Sequence, residues 1–159
     1  MKKFTKFVSA VAAVSLVAAP MAVSADEKTF LLGGSGPLTG AAASYGTSVK
    51  QGAEIAIQEI NDAGGAQVGE DTYKFELAFE DDEATEDKAV QAYNTLMDEG
   101  IQVMMGATTS GSTIAITDLT ADDAILQITP SGSAQDCNQY HNAFRISFSD
   151  PEQGVAMAD

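Results

Sequence analysis

The eight residues from Gly106 to Thr113, "GATTSGST", carry two glycines and five hydroxyl side chains directly after the apolar run Ile101–Met105. Their spacing invites phosphate chemistry. Gly106, four residues, Gly111 and then Ser112-Thr113 follow the phosphate-loop pattern G-x-x-x-x-G-K-[ST] except at one place, where Ser112 stands for the lysine. That lysine supplies the positive charge against the β- and γ-phosphates, so the nucleotide reading fails where the chemistry needs it. What remains is hydroxyls and bare backbone.

Two other loops share this chemistry: "GGSGPLTGAAASYG" (Gly33 to Gly46) and "TPSGS" (Thr129 to Ser133). None of the three contains Lys, Arg, Asp or Glu. Hydroxyls and backbone N–H groups at helix starts suit a modest anion such as a carboxylate, and without a cation they are poorly matched to polyphosphate. Taken singly, each loop reads as ordinary capping and turn chemistry, because Ser and Thr are favoured N-caps and Gly serves tight turns. Three such loops leaving one edge of a sheet favour a ligand.

Other chemistries find little support. Cys137 is the only cysteine and His141 the only histidine, so neither an internal disulfide nor a multi-ligand Cys/His metal site is possible. No G-x-S-x-G elbow is present for a serine hydrolase, and His141 lies in "DCNQYHN", which reads as a surface loop. The acidic run "EDDEATED" (Glu80 to Asp87) lacks the central glycine of a calcium loop. It sits at the entry of an expected helix, where acidic side chains complement the dipole, and is expected to be solvated. No metal and no cofactor are expected.

The chain opens with Lys2, Lys3 and Lys6, an apolar stretch from Phe7 to Ala19, and Val23-Ser24-Ala25 as a small-residue cleavage site. This is the pattern of a secretory signal peptide over residues 1–25. Its apolar run is shorter than the roughly 20 residues that span a bilayer, and no cysteine follows it to carry a lipid anchor. Removing it leaves five basic against 23 acidic residues, a net charge of −18. Such a charge argues against nucleic acid and anionic membrane as partners and suits solubility outside the cytoplasm.

From Phe30 onward the pattern alternates between strand and helix. Phe30 to Gly33 starts a strand; Val49, Ala53, Ala56, Ile57 and Ile60 follow helical spacing from Ser48, stopped by Gly64-Gly65. Tyr73, Phe75, Leu77 and Phe79 alternate as one face of a strand. A helix is expected over Ala84–Glu99 with Ala89, Tyr93, Leu96 and Met97 inward, ended by Gly100. Strands over Ile101–Met105, Ile125–Ile128 and Ala143–Ser147, a helix over Ser112–Asp123, and a helix start at Asp150-Pro151-Glu152 with Pro151 expected at the first helical position complete the set. This order predicts a doubly wound α/β fold, a parallel sheet with helices on both faces. Ligands of such sheets bind beyond the carboxyl ends of the strands.

The sequence resembles the extracytoplasmic substrate-binding proteins of branched-chain amino acid ABC transporters, which have the two-lobed type I periplasmic-binding-protein fold. The residues that carry the resemblance are "GPLTGAAASYGTSVKQGAEIAIQEINDAGG" (Gly36 to Gly65), "GATTSGST", "ITPSGS" and "FRISFSDPEQG" (Phe144 to Gly154). The resemblance implies that residues 26–159 form the N-terminal lobe, with the second lobe absent from the chain. It implies a ligand whose α-carboxylate and ammonium are held between the two lobes, with the Ser110 hydroxyl on the carboxylate, Ser131 offering its backbone, Ser133 its hydroxyl and N–H, and Tyr45 lining the side-chain pocket. It further implies a monomer without catalysis, delivering an amino acid to ABC permease subunits from the periplasm or cell exterior. A ligand-sensing regulatory domain shares the fold and the loops; an enzyme would need a motif that is not there.

Overall fold

The computed structural model describes residues 27–158 of the chain. The signal peptide expected over residues 1–25 and its cleavage site after Ala25 lie outside the described residues. In chain order the elements are β1 (Glu27–Gly36), α1 (Ala43–Asp62), β2 (Ala66–Val68), β3 (Asp71–Asp81), α2 (Glu86–Glu99), β4 (Val103–Met105), α3 (Ser110–Asp122), β5 (Leu126–Thr129), β6 (Ala143–Arg145) and α4 (Asp150–Ala158). A 3-10 turn covers Gln135–Asn138.

The strands form one sheet in the order β2-β3-β1-β4-β5-β6. Every neighbouring pair is parallel except β2 with β3. The wholly parallel sheet expected from the alternation therefore gains one antiparallel edge. Residues 66–68 fold back on the start of β3 through Gly69, whose φ is +64°. Helix α1 begins at Ala43, earlier than the first apolar position suggested. Helix α4 begins at Asp150, with Pro151 as its second residue rather than its first. Its start is a capping box: the Ser149 N–H and hydroxyl donate to Glu152 Oε2, and the Glu152 N–H points back to Ser149 Oγ.

The period-two strands present two different faces. One carries Leu31, Ala78 and Met104 toward α2 and α3, where Ala89, Tyr93, Leu96, Ile101 and Ile116 form the buried core. Tyr93 also donates to Asp123 Oδ2 at 2.8 Å, tying α2 to the end of α3; burial and this bond both push its phenol up. Gly100 ends α2 in the left-handed region at φ +85°, a conformation that costs a residue with a Cβ more than it costs glycine. The opposite face carries Phe30 against Phe75, and Phe79 under Lys50 of α1. Helix α1 packs on β1 and β3. On the same face Leu126, Phe144 and Ile146 are exposed.

Helix α3 departs from the usual apolar stripe. Its buried positions are Ser112, Thr113, Ile116, Thr117 and Thr120, and β5 answers with buried Gln127 and Thr129. The polar groups satisfy each other. Thr120 Oγ1 donates to Gln127 Oε1, Gln127 Nε2 donates to the carbonyls of Gly106 and Thr113, and Thr113 and Thr129 both donate to the Ala107 carbonyl. Buried polar groups are stable only when paired in this way.

Candidate functional site

Because β1 lies between β3 and β4, the chain order reverses beside it, and the crevice of an open α/β sheet forms at such a switch point. The loops that leave β1, β4 and β5 are stitched together there. Thr108 donates both its N–H and its hydroxyl to the Ser35 carbonyl, each at 3.1 Å. Ser131 Oγ donates to the Thr108 carbonyl at 2.6 Å. Ser110 Oγ accepts the N–H groups of Ser133 and Ala134 at 3.1 and 3.2 Å. On the other side, a Cβ at Gly36 would overlap Thr108 Oγ1 and crowd Gly46, and a Cβ at Gly46 would overlap the Pro37 backbone. Only bare backbone lets the end of β1, the start of α1 and the β4 loop meet.

Each residue named from the sequence has a definite place. Ser110 is the first residue of α3, and its oxygen already accepts two N–H groups, so its own proton is what it has left to give an acceptor in the crevice. Thr109, at the N-cap, makes no side-chain capping bond; its hydroxyl goes to Ser112 Oγ. The first-turn N–H groups of α3 are thereby left open to a ligand. Ser131 is exposed and spends its hydroxyl on Thr108. The Ser133 N–H is occupied by Ser110 Oγ, which leaves the Ser133 hydroxyl for a ligand. Tyr45 stands beside Gly46 on the first turn of α1 and is 67% exposed. The three serines are brought together; Tyr45 is on the adjoining wall.

The acidic run is not uniformly solvated as expected. Asp81 Oδ1 accepts the N–H groups of Leu38 and Glu83, and Oδ2 accepts the Thr39 hydroxyl at 2.6 Å, pinning the β1 loop. Burial works against ionisation there, but these bonds prevail and hold the carboxyl below its usual range. Asp82 is fully buried: Oδ1 takes the Ala84 N–H, whereas Oδ2 and the neighbouring Ser35 Oγ are buried without a well-formed hydrogen bond. Burial pushes the Asp82 carboxyl up, the Asp81 charge adds to this, and the Ala84 N–H with the Ser112 and Ser35 hydroxyls only partly offset it. Cys137, expected in a surface loop, is buried in the 3-10 turn. Burial pushes its thiol up too.

Sequence reasoning singled out neither Asp81 nor Asp82 as structural, and it passed over Arg145. The guanidinium of Arg145 grips the carbonyls of Ser133 and Ala134, and Asn138 Oδ1. Among the described residues no group of three or more His, Cys, Asp or Glu side chains is placed to hold a metal ion.

The structure is thus a doubly wound α/β lobe with an uncharged hydroxyl-and-amide cradle at its switch point. The chain belongs to the periplasmic binding protein family, whose model matches residues 30–159. It is 34% identical over 156 residues to the "Leu/Ile/Val-binding protein homolog 3" of Brucella melitensis, covering 97% of this chain and 40% of that protein. It is 33% identical over 156 residues to the leucine-, isoleucine-, valine-, threonine- and alanine-binding protein of Pseudomonas aeruginosa, covering 97% of this chain and 41% of that one. Among solved structures, an ABC transporter substrate-binding protein from Desulfitobacterium hafniense in complex with Leu superposes with a TM-score of 0.70 at 28% identity. That superposition covers 82% of this chain and 38% of the other. The chain thus spans about two-fifths of the length of the curated relatives it matches.

Proposed function

We propose that the chain forms one wall of an amino-acid-binding cleft in an extracytoplasmic solute-binding protein of an ABC transporter. The observation that carries the reading is Ser110, a hydroxyl fixed by two N–H groups at the uncapped start of α3, with its proton free for an acceptor. An α-carboxylate suits this position, because hydroxyl and helix-start donors favour one negative charge without a lysine. Ser133 adds a second hydroxyl, Ser131 its backbone, and Tyr45 an aromatic wall for an aliphatic side chain. The names of the relatives, and the leucine in the D. hafniense complex, support a branched-chain amino acid as the ligand.

Capture and delivery require no covalent chemistry. In the full-length protein a second lobe closes over the ligand about a hinge, and the closed form is what the permease subunits recognise. The protein acts as a monomer, outside the cytoplasm, after removal of residues 1–25.

Titration calorimetry of the full-length protein against the twenty amino acids tests the reading. Leucine, isoleucine or valine should give saturable binding in the micromolar range or tighter. A flat response to the whole panel would remove the proposal.

A further inference from the structure

The three cradle loops contain no cation, yet the α-carboxylate of the proposed ligand carries a full negative charge. The only arginine of the chain lies against the end of the loop that follows β5. Arg145 Nη1 donates to the Ser133 carbonyl at 3.1 Å and to the Ala134 carbonyl at 2.8 Å, and Nη2 donates to Asn138 Oδ1 at 2.8 Å. The Ser133 carbonyl and the Ala134 N–H belong to the same peptide group, and that N–H is donated to Ser110 Oγ at 3.2 Å. We infer that Arg145 is the positioning residue of the cradle, lending its charge to the bound carboxylate through the Ser133–Ala134 peptide and the Ser110 hydroxyl.

The physical chain has three steps. A guanidinium pulling on a carbonyl oxygen polarises the whole amide and makes its N–H a stronger donor. An oxygen that accepts a stronger donor becomes, in turn, a more acidic O–H. The Ser110 proton then meets a carboxylate with part of the attraction a direct cation would give, without a long side chain occupying the crevice. Competing acids stand nearby, since Asp136 and Glu152 line an open recess of about 580 Å³ together with Arg145, whose charge, after the Ser149 hydrogen bonds, helps lower the Glu152 carboxyl. Neither neutralises it by contact. Glu152 is engaged by Ser149, and the ion pairs among the described residues are Lys28–Asp71, Lys50–Glu54 and Lys88–Glu83. Arg145 gives its donors to carbonyl and amide oxygens, and one of them, the Ser133 carbonyl, belongs to the cradle.

The inference rests on the proposed reading that a carboxylate sits at Ser110, and the test separates the two. L-leucine and L-leucinamide, which lacks the carboxylate, are titrated into the full-length protein and its variants by calorimetry. Arg145→Gln keeps a donor toward the carbonyls and removes the charge. Asn138→Asp, at an exposed position, leaves Arg145 in place and sets a carboxylate against its guanidinium. The wild type should prefer leucine. Arg145→Gln should lose at least tenfold in leucine affinity and less than threefold for leucinamide, and Asn138→Asp should shift the same ratio several-fold in the same direction. If the wild type binds neither ligand, the functional reading itself has failed. If it binds leucine and a folded Arg145→Gln keeps the wild-type ratio, or loses both ligands equally, Arg145 is only a loop anchor and the inference falls. Should Arg145→Gln not fold, an unchanged ratio in Asn138→Asp overturns it.

Discussion

Replacing Ser110 by Ala removes one oxygen that joins two loops in the structure and, in the proposed reading, also serves the ligand. In the empty protein it accepts the N–H groups of Ser133 and Ala134 and so joins the β5 loop to the start of α3. Each net hydrogen bond of this kind contributes about 0.5–1.5 kcal/mol, and water can reach the partly buried donors, so the expected loss of stability is about 1–2 kcal/mol. For a lobe of this size that is on the order of a few degrees in Tm. With ligand bound, the same substitution also removes a donor to a carboxylate, worth about 1.5–3 kcal/mol. That corresponds to a roughly ten- to hundredfold weaker Kd. Ser133→Ala is the matched control, because the Ser133 hydroxyl makes no hydrogen bond among the described residues; it should weaken binding while leaving the Tm nearly unchanged. Their bonding partners thus separate the two serines. The assay is thermal unfolding and calorimetric titration of leucine on the same preparations of the full-length protein. A Ser110→Ala protein with a lowered Tm and an unaltered Kd would show that Ser110 only stitches loops, and the carboxylate site would have to lie elsewhere.

Asp82→Asn should stabilise the protein near neutral pH. The folded state holds this carboxyl above its ordinary value, so between the unfolded and folded values the native protein binds more protons and stability falls as pH rises; the cost is fully present above the folded value. The variant should therefore melt higher than wild type at pH 7 and converge with it in mild acid, and a lower Tm at pH 7 would contradict the burial argument. Mass spectrometry of the exported protein should give an N-terminus at Asp26, and a product that still begins at Met1 would refute the localisation.

The parts of the fold that repeat were readable in advance. Tyr73 to Phe79 alternates with period two because one face of β3 packs under α1 and the other over α2, and Ala89, Tyr93 and Leu96 fall at helical spacing because α2 buries one stripe. Residues 66–68 gave no such signal: a three-residue strand is too short for a period, and its pairing depends on where β3 happens to begin. The cradle was legible as composition but not as a division of labour. "GATTSGST" reads as five equivalent hydroxyls, yet Thr108 and Thr113 bond to carbonyls inside the protein, Ser112 is buried, and Thr109 turns to Ser112. Asp82 looks like any acid at a helix entry until the ends of β1 and β3 and the start of α3 close around it. Arg145 lies 35 residues from Ser110 in the chain and reaches it only through another loop's peptide, a relation that no local pattern encodes.

The threonine and glutamine interior between α3 and β5 has a consequence for how the protein responds to temperature. Exposing apolar surface on unfolding raises the heat capacity by about 0.45 cal/K/mol per Å², whereas exposing polar surface lowers it by about 0.26. A helix that rests on Thr113, Thr117, Thr120 and Gln127 therefore contributes less to the unfolding heat capacity than one resting on leucine and isoleucine. Its attachment to the sheet varies gently with temperature and weakens little on cooling, when hydrophobic contacts lose strength. The first turn of that helix carries Ser110, so on its β5 side the cradle is hung from contacts that lose little strength in the cold.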